Sequence, residues 1–421
     1  MYKFVIKGGK ELRGKVKVSG SKNASLPILF ASILSGELSL SNVPELRDVD
    51  TTCKILSHMG LEVEREGKRV RVSGKVKKAE APYELVKMMR ASILALGPLV
   101  ARYREGVVSL PGGCAIGLRP VDLHLKGLSK LGAEVEVKYG YVVARAPKGL
   151  KGADITLDFP TVGGTENLMM AATLAKGKTV IRNAAKEPEI VDLARALKAM
   201  GAEIEGEGTD TIEVVGKEEL CAAEYSVMAD RIEAGTFLAA VGATGGEVEI
   251  EDFPYEALTA VIEKFTEAGL EIEKLDEKRV LVRKKERLKG TDITTAPYPG
   301  FPTDMQAQFM AAMCLAEGTS VIKETIFENR FMHALELQRL GADLKIEGNT
   351  VVVRGVEELY GAPVMATDLR ASASLVIAGL AAKNTTEVLR IYHLDRGYEK
   401  LEEKLRALGA EIERVRSELS Y

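Results

Sequence analysis

The sequence has few of the residues from which metal sites and disulfide frameworks are built. Its 421 residues include four cysteines, four histidines and no tryptophan. The cysteines, Cys53, Cys114, Cys221 and Cys314, lie far apart, and none belongs to a CxxC pair or to a paired Cys/His spacing. This spacing indicates neither a disulfide framework nor a zinc site.

Long apolar runs and an excess of one charge are also missing. The longest nearly apolar runs, residues 91–101 and 375–382, are shorter than the roughly 18 residues that cross a bilayer, and the charged N-terminus contains no stretch typical of a signal peptide. Lys and Arg (58) almost balance Asp and Glu (61), which leaves a formal net charge of −3 and no overall field to hold nucleic acid or an anionic membrane. We therefore expect a cytoplasmic protein with neither nucleic acid nor membrane as a partner, in which any anion site is local.

What the sequence does contain is an internal repeat. A helix end followed by a strand recurs six times at intervals of 68 to 72 residues, with glycine at 60, 132, 201, 269, 341 and 409. A second turn lies about 24 residues before each of them, at Gly36, Gly106, Gly177, Gly246, Gly318 and Asn384. Gly or Asn in these places is typical of a left-handed helix C-cap. The first unit predicts a strand (KVKVS), a helix over 24–35, a strand (LSLSNV), a helix over 48–59 and two strands (LEVERE and RVRVSG), so each unit is βαβαββ.

The two ends of the chain complete one another in this repeat. The sixth unit ends without its last strand, whereas KFVIKG at residues 3–8 is a copy of that strand without a unit. We therefore predict two lobes of three repeats each, residues 21–229 and residues 1–20 plus 230–421, joined by two crossings near Ser21 and Asp230. An open solenoid used for protein binding is the alternative, but solenoid units are usually shorter than these.

The first helix of each repeat is predicted to start at a position that is charged in five of the six units. These starts are Lys22, Arg90, Gly163, Asp230, Asp304 and Asp368. A helix N-terminus attracts anions, and Asp there is often only an N-cap, so a structural role remains open for Asp230 and Asp368. Lys and Arg are disfavoured by the helix dipole. Lys22 and Arg90 therefore suggest an anionic ligand, with a solvated charge as the alternative.

A glycine-rich loop in the second repeat surrounds one cysteine. Residues 111–120 read PGGCAIGLRP, a composition suited to a mobile lid. Arg119 would favour the thiolate of Cys114. In contrast, Cys53 and Cys314 lie in apolar helical patterns that predict inert core thiols, and Cys221 lies in a linker. No P-loop, dinucleotide-binding, zincin or hydrolase motif occurs, so the cationic positions suggest a small, multiply anionic substrate.

Several long motifs occur along the chain in the order that is typical of one protein family: GSKNASLP, PGGCAIGLRPVDLH, FPTDMQAQ, FENRFMHALEL, TDLRASA and DRGYE. Over its whole length the chain resembles the UDP-N-acetylglucosamine enolpyruvyl transferases. The resemblance implies an α/β (α+β) fold, a two-lobed inside-out α/β barrel of six βαβαββ repeats. It implies transfer of the enolpyruvyl group of phosphoenolpyruvate to the 3′-hydroxyl of UDP-N-acetylglucosamine with release of phosphate. This reaction is the first committed step of peptidoglycan synthesis, and it needs no metal, no other cofactor and no obligate protein partner.

The resemblance also implies roles for individual residues. Asp304 is the candidate base, Lys22 and Arg119 hold the phosphate of phosphoenolpyruvate, and Cys114 is the lid cysteine and fosfomycin target. Cys114 would act as proton donor, as covalent ligand of phosphoenolpyruvate or in product release. The phosphoenolpyruvate contacts are Lys22, Asn23, Arg119 and Arg396; the UDP-sugar contacts are Arg90, Arg119, Pro120, Val121, Asp122, Leu123, Phe159, Val162, Asp304 and Ile326; the supporting polar residues are His124, Glu187, Asp230, Arg330, Asp368 and Arg370. Some relatives carry Lys where this chain has Phe159, which predicts an apolar or backbone contact there.

Two alternatives to this function remain. The same fold also carries 5-enolpyruvylshikimate-3-phosphate synthase, which lacks the lid cysteine and the RPVDLH segment that are both present here. A non-catalytic binding protein of this fold is the second alternative, although the base, the anion contacts and the lid are all retained.

Overall fold

A computed structural model describes residues 1–110 and 119–418, without the side chains of Arg119 and Pro120. The chain divides into two compact units, Gly20–Met228 and Met1–Ser19 with Ala229–Tyr421, each within one residue of the predicted lobe boundaries. No helix in the described ranges is long and apolar enough to span a membrane.

The described residues form short strands and helices in alternation. The strands are β1 (Tyr2–Lys7), β2 (Leu12–Lys17), β3 (Glu37–Ser41), β4 (Glu62–Glu66), β5 (Arg69–Ser73), β6 (Glu80–Ala81), β7 (Glu105–Ser109), β8 (Glu134–Lys138), β9 (Tyr141–Arg145), β10 (Asp154–Thr156), β11 (Lys178–Arg182), β12 (Glu203–Glu205), β13 (Thr211–Val215), β14 (Ala223–Ser226), β15 (Gly246–Glu251), β16 (Glu271–Asp276), β17 (Arg279–Lys284), β18 (Ile293–Thr294), β19 (Thr319–Lys323), β20 (Asp343–Glu347), β21 (Thr350–Arg354), β22 (Pro363–Met365), β23 (Thr385–Leu389) and β24 (Glu411–Arg416). The α-helices are α1 (Lys22–Ala31), α2 (Arg47–His58), α3 (Tyr83–Val86), α4 (Leu96–Tyr103), α5 (Arg119–Lys130), α6 (Val162–Ala172), α7 (Pro188–Ala199), α8 (Arg231–Thr244), α9 (Thr259–Glu267), α10 (Gln306–Met313), α11 (Met332–Arg339), α12 (Leu369–Ala381) and α13 (Leu401–Ala407). Short 3-10 helices are Ser32–Leu34, Arg90–Ala95, Tyr255–Ala257, Thr303–Met305 and Ile391–Arg396.

Each unit contains three four-stranded sheets around buried helices. The sheets of Gly20–Met228 have the strand orders β14-β3-β5-β4, β6-β7-β9-β8 and β10-β11-β13-β12; those of the other unit are β16-β17-β15-β2, β18-β19-β21-β20 and β22-β23-β1-β24. In this second unit α8, α10 and α12 are mostly apolar, are buried along almost their whole length and contact one another. A helix without a polar face belongs in a core. One core per unit therefore lies inside a layer of sheets, which is an inside-out arrangement and not an open solenoid.

The N-terminal strand completes the last repeat, as predicted. β1 lies between β23 and β24 and pairs antiparallel with both, so that Phe4 is opposite Val388 on one side and Arg414 on the other. Phe4 is fully buried. The first strand of the chain is therefore an inner strand of the sheet that is otherwise built from its last residues.

The prediction that KVKVS belongs to the first repeat is wrong. β2, which contains most of this segment, pairs in parallel with β15 of the fourth repeat, and β14 takes the corresponding place beside β3. The repeats are alike, so β3 and β15 offer equivalent parallel edges, and a strand pattern does not say which edge it joins. In the structure these two strands are exchanged between the repeats.

The glycines at the helix ends behave as predicted in one set and only partly in the other. All six glycines of the first set have φ between 94° and 102°. In the second set Gly177, Gly246, Gly318 and Asn384 are left-handed, whereas Gly36 and Gly106 are not. In the second repeat Arg104 takes the left-handed position instead, with φ 64° at the end of α4, and in the first repeat Ser35 ends the helix in an extended conformation.

Candidate active site

Lys22 is held at the start of α1 by a buried carboxylate. Ser21 caps the helix by accepting a hydrogen bond from the Ala24 N–H at 3.1 Å. The Lys22 Nζ lies 3.1 Å from Oδ2 of Asp48 in the first turn of α2, and the two side chains are only 14% and 8% exposed. An ion pair with so little water around it fixes the direction of the ammonium group. Sequence reasoning missed Asp48, although it follows the recurrent strand-to-helix loop of the first repeat.

The other predicted ligand contacts in Gly20–Met228 differ in exposure. Arg90 begins a 3-10 helix and not an α-helix, and its side chain is exposed, as is that of Asn23. Phe159 and Val162 are 52% and 37% exposed before and at the start of α6. Cys114 and the side chains of Arg119 and Pro120 lie outside the described residues.

Helix α5 contributes a buried histidine to the same unit. Val121 and Asp122 are half-buried, while Leu123 and His124 are buried. The Asn167 side-chain amide donates to Nδ1 of His124 at 3.0 Å and to the Ile93 carbonyl. Burial lowers the pKa of His124 to about 4, so the ring is neutral near pH 7.

Three carboxylates gather near the start of α7. Glu187 is half-buried just before the helix, Glu189 lies buried in its first turn and Glu166 is buried in α6. Burial, and then the charges of Glu189 and Glu187, raise the pKa of Glu166 well above its usual value. Glu166 was not predicted, because its place in the apolar α6 pattern carries no functional signal.

In the other unit Asp304 lies among arginines. Its Oδ1 is 3.1 Å from Nη2 of Arg330, and its Oδ2 is 3.9 Å from Nη2 of Arg370. Burial raises the pKa of Asp304, but the positive charges of Arg370, Arg330 and Arg231 outweigh it and hold the pKa below the usual value. Asp304 is therefore a carboxylate at neutral pH, placed in the 3-10 turn Thr303–Met305.

Arg370 connects this carboxylate to a buried polar network. Its Nη1 donates to the Tyr398 hydroxyl at 3.2 Å, and that hydroxyl lies 2.8 Å from the hydroxyl of Thr236. The side-chain amide of Gln308 donates to the carbonyl of Asp304 at 2.8 Å. Because these groups come from α8, α10, α12 and the loop before α13, the network holds Asp304 and Arg370 at the centre of the unit's helices.

The two other predicted aspartates are N-caps. Asp230 accepts hydrogen bonds from the N–H groups of Ile232 and Glu233, and Asp368 does the same for Arg370 and Ala371. Both side chains therefore cap their helices, and the caps fix the starts of α8 and α12. In this way Asp368 also places the backbone of Arg370.

Two more predicted contacts lie outside the α-helices and strands of the same unit. Arg396 is exposed at the end of the 3-10 helix Ile391–Arg396. Ile326 is 38% exposed, and its backbone N–H donates to the buried side chain of Glu324 at 3.0 Å. Sequence reasoning missed Glu324, whose hydrogen-bond partners come from three separate places in the chain.

Two of the three described cysteines have unreactive thiols. Burial raises the pKa of Cys53 to about 11 and that of Cys314 to about 12, as expected for inert thiols. Cys314 is fully buried, whereas Cys53 is half-buried, and Cys221 is exposed.

Comparison with known proteins identifies the family. A family model described as EPSP synthase (3-phosphoshikimate 1-carboxyvinyltransferase) matches residues 6–405. The chain belongs to this family. Among solved structures of the fold, the enolpyruvyl transferase NikO from Streptomyces tendae covers 98% of both chains with a TM-score of 0.88 and 24% identity. An EPSP synthase from Acinetobacter baumannii covers 99% of this chain and 100% of its own with a TM-score of 0.79 and 21% identity. The predicted enolpyruvyl transferase fold is confirmed.

Within the EPSP synthase family the chain is much more similar to curated relatives with another name. It is 62% identical over 415 residues to the UDP-N-acetylglucosamine 1-carboxyvinyltransferase of Nitratidesulfovibrio vulgaris strain DP4, covering 98% of this chain and 99% of the relative. It is 59% identical to the protein of that name from Geobacter metallireducens, covering 99% and 100%. These relatives match from end to end.

Proposed function

We propose that the chain transfers the enolpyruvyl group of phosphoenolpyruvate to the 3′-hydroxyl of UDP-N-acetylglucosamine and releases phosphate, in the first committed step of peptidoglycan synthesis. The observation that carries the proposal is the end-to-end identity of 62% with a relative named for this activity. The solved EPSP synthase is only 21% identical, a level that supports the fold alone. We propose that the reaction takes place in the cytoplasm.

The proposed reaction is an addition followed by an elimination. A proton adds to C3 of phosphoenolpyruvate, which makes C2 electrophilic. The sugar hydroxyl forms a bond to C2 and loses its proton, giving a tetrahedral phospho-ketal. Loss of the C3 proton and cleavage of the bond between C2 and the phosphate oxygen then yield the enol ether and phosphate. The chain has to supply an acid, a base and cations for the two anionic groups.

Asp304 is suited to the role of base because it is ionised and held in one place. Its low pKa makes it a weak base towards a free hydroxyl. As the bond to C2 forms, however, the attacking hydroxyl becomes strongly acidic, and even a weak carboxylate base then accepts its proton. Arg330 and Arg370 keep the carboxylate charged and oriented until that moment.

Lys22 supports the proposed phosphate contact. Its ammonium group is placed by Asp48 and by the start of α1, where N–H groups also face outward. We propose that Arg119 shares the phosphate, that Arg396 binds near the carboxylate and that Cys114 acts from its glycine-rich loop. The remaining predicted contacts, Asn23, Arg90, Phe159, Val162 and Ile326, have exposed side chains, as surface contacts to a ligand require.

A phosphate-release assay tests this function. The purified protein is given phosphoenolpyruvate with UDP-N-acetylglucosamine in one reaction and with shikimate 3-phosphate in another. We expect phosphate only in the first reaction, together with an enolpyruvyl ether of the UDP-sugar by mass spectrometry. Release with shikimate 3-phosphate would favour the alternative synthase, and binding of UDP-N-acetylglucosamine without release in either reaction would favour a binding protein.

A further inference from the structure

Glu324 is a buried carboxylate with an unusual number of donors around it. It directly follows β19 and is 3% exposed. Its Oε1 accepts hydrogen bonds from the Thr303 hydroxyl at 2.8 Å and the Gln306 amide at 3.2 Å. Its Oε2 accepts from the Thr295 hydroxyl at 2.7 Å and from two backbone N–H groups, those of Ile326 at 3.0 Å and Phe327 at 3.3 Å. Five donors on two oxygens suit the ionised carboxylate, which accepts on both oxygens and has no proton to place among them.

The first set of contacts leads to Asp304. Because the Thr303 hydroxyl donates its only proton to Glu324, its lone pairs are available to Arg330, whose Nη1 donates to it at 2.7 Å. The Nη2 of Arg330 then donates to Oδ1 of Asp304 at 3.1 Å. Glu324 thus determines which way the Thr303 hydroxyl points and, through it, where Arg330 presents its second N–H.

The remaining contacts hold Arg330 and the neighbouring loop. The amide of Gln306, which donates to Glu324, also donates to the Arg330 carbonyl at 3.0 Å. The guanidinium of Arg330 lies 5.1 Å from the ring centre of Phe327, whose N–H is bound by Glu324. Glu324 also accepts a hydrogen bond from the backbone N–H of Ile326, a predicted UDP-sugar contact. The same carboxylate therefore supports Arg330 on several sides and fixes the loop beside it.

We infer that Glu324 is a positioning residue of the proposed reaction, which holds Arg330 against Asp304 and the Ile326 backbone towards the UDP-sugar. The inference rests on the proposed function. Glutamine at this position would keep the size of the side chain but would turn an N–H group towards groups that donate to the carboxylate in the wild type. Either the Thr303 hydroxyl would be reversed, so that its proton faces Arg330, or the N–H groups of Ile326 and Phe327 would lose their acceptor.

Steady-state kinetics with E324Q test the inference. We expect the KM for UDP-N-acetylglucosamine to rise and kcat to fall, each about tenfold, because small displacements of positioned groups have large effects on rate. The KM for phosphoenolpyruvate should change less than twofold. E249Q is the matched control, since Glu249 is a partly buried carboxylate of the same unit whose partners are Lys15 and Arg279. E249Q should leave all three constants near those of the wild type.

Thr303 variants provide a second test that does not require E324Q to fold. T303V removes the hydroxyl at similar volume and should reproduce the loss of kcat, whereas T303S should remain close to the wild type. The double variant E324Q/T303V should be no slower than the slower single variant, because both remove the same connection. Kinetic constants of E324Q equal to those of E249Q, wild-type kcat in T303V or multiplicative effects in the double variant would each overturn the inference.

The wild type distinguishes this inference from the proposed function. If it releases phosphate with shikimate 3-phosphate and not with UDP-N-acetylglucosamine, the proposed function fails. The same ratios of kcat between variants, measured on that acceptor, then still test the position of Arg330 and Asp304.

Discussion

The carboxylates of Asp304 and Glu324 stay charged for different physical reasons. At Asp304 burial raises the pKa, and the charges of Arg370 and Arg330 lower it further than burial raises it. At Glu324 burial again raises the pKa, and hydrogen bonds from hydroxyl and backbone N–H groups lower it. Asp304 depends on the positive charges of arginine side chains, whereas Glu324 depends on uncharged hydroxyl and backbone N–H donors. The first is suited to chemistry and the second to support.

Replacement of Asp304 by Asn should reduce turnover more than affinity. D304N keeps the shape of the side chain but leaves Arg330 and Arg370 without their counter-charge and removes the proposed base. We expect kcat to fall about 10² to 10⁴-fold, with the dissociation constant for UDP-N-acetylglucosamine, from calorimetry, changed only a few-fold. D276N, which alters an exposed aspartate paired with Arg279, is the control. An unchanged kcat in D304N would remove it as the base.

Two buried histidines should make stability fall in mild acid. Burial lowers the pKa of His124 and of His333 to about 4, below the usual 6.5. Folding therefore favours the neutral ring. Stability is highest above pH 6.5 and is lost as the pH falls from 6.5 towards 4, because in this range the unfolded chain binds a proton that the folded chain does not. Each ring should reduce the free energy of unfolding by about 2 kcal/mol between pH 7 and pH 5.

Urea unfolding at the two pH values measures this effect. The two rings together contribute part of the pH dependence of the free energy of unfolding. H124N and H333N should each remove about half of that part. H58N alters an exposed side chain at the end of α2 and serves as the control. Equal pH dependence in the wild type and in both core variants would contradict the assignment.

A site residue was predictable from sequence when its position within a repeat was enough to identify it. Lys22, Asp230, Asp304 and Asp368 stand at or beside the start of a repeat helix, so alignment of the repeats was enough to find them. Glu324 was not predictable, because its donors come from separate segments around 295, 303 and 326 that only folding brings together.

At the scale of elements, the strand β1 is the clearest case of a long-range partner found from the repeat. It fills the inner position between β23 and β24. The repeat identified it because one unit lacked a strand and one strand lacked a unit. The exchange of β2 and β14 was not predictable in the same way, since neither unit lacked a strand.

A pair of aromatic substitutions in β1 tests its contribution. Phe4 is fully buried, whereas Tyr2 in the same strand is 52% exposed. F4A should lower the free energy of unfolding of its unit by about 3 to 5 kcal/mol because it leaves a core cavity. Y2A should lower it by less than about 1 kcal/mol. Similar losses in the two variants, measured by urea titration, would mean that β1 is not an inner strand in solution.

At the scale of the molecule, the path of the chain makes the two units unequal. All three sheets of Gly20–Met228 are built from strands within that segment, while the other unit takes β1 and β2 from the first 19 residues. One unit is therefore continuous in sequence, and the other depends on both ends of the chain.

Fragments should show this inequality directly. Residues 20–228 should fold alone, with a cooperative thermal transition by circular dichroism. Residues 229–421 should not, because two of their three sheets lack a strand. A permuted chain, 229–421 followed by a Gly-Ser linker and residues 1–19, should fold, and a short linker suffices because the Ser417 N–H donates to the Met1 carbonyl at 2.7 Å. Folding of 229–421 without residues 1–19 would contradict this dependence.

The sequence by itself determined the six repeats, the closure of the last repeat by the first strand, the first set of glycine helix ends and most of the charged helix starts. These features depend on neighbours along the chain or on copies of one pattern, and both can be read without coordinates. Only the tertiary structure decided which repeat β2 and β14 join, that Asp48 pairs with Lys22 and that Glu324 supports Arg330. The strand pairings depend on which of two equivalent sheet edges lies near each strand, and the side-chain contacts depend on which distant groups lie within hydrogen-bond distance. Both are set by the packing of the whole unit.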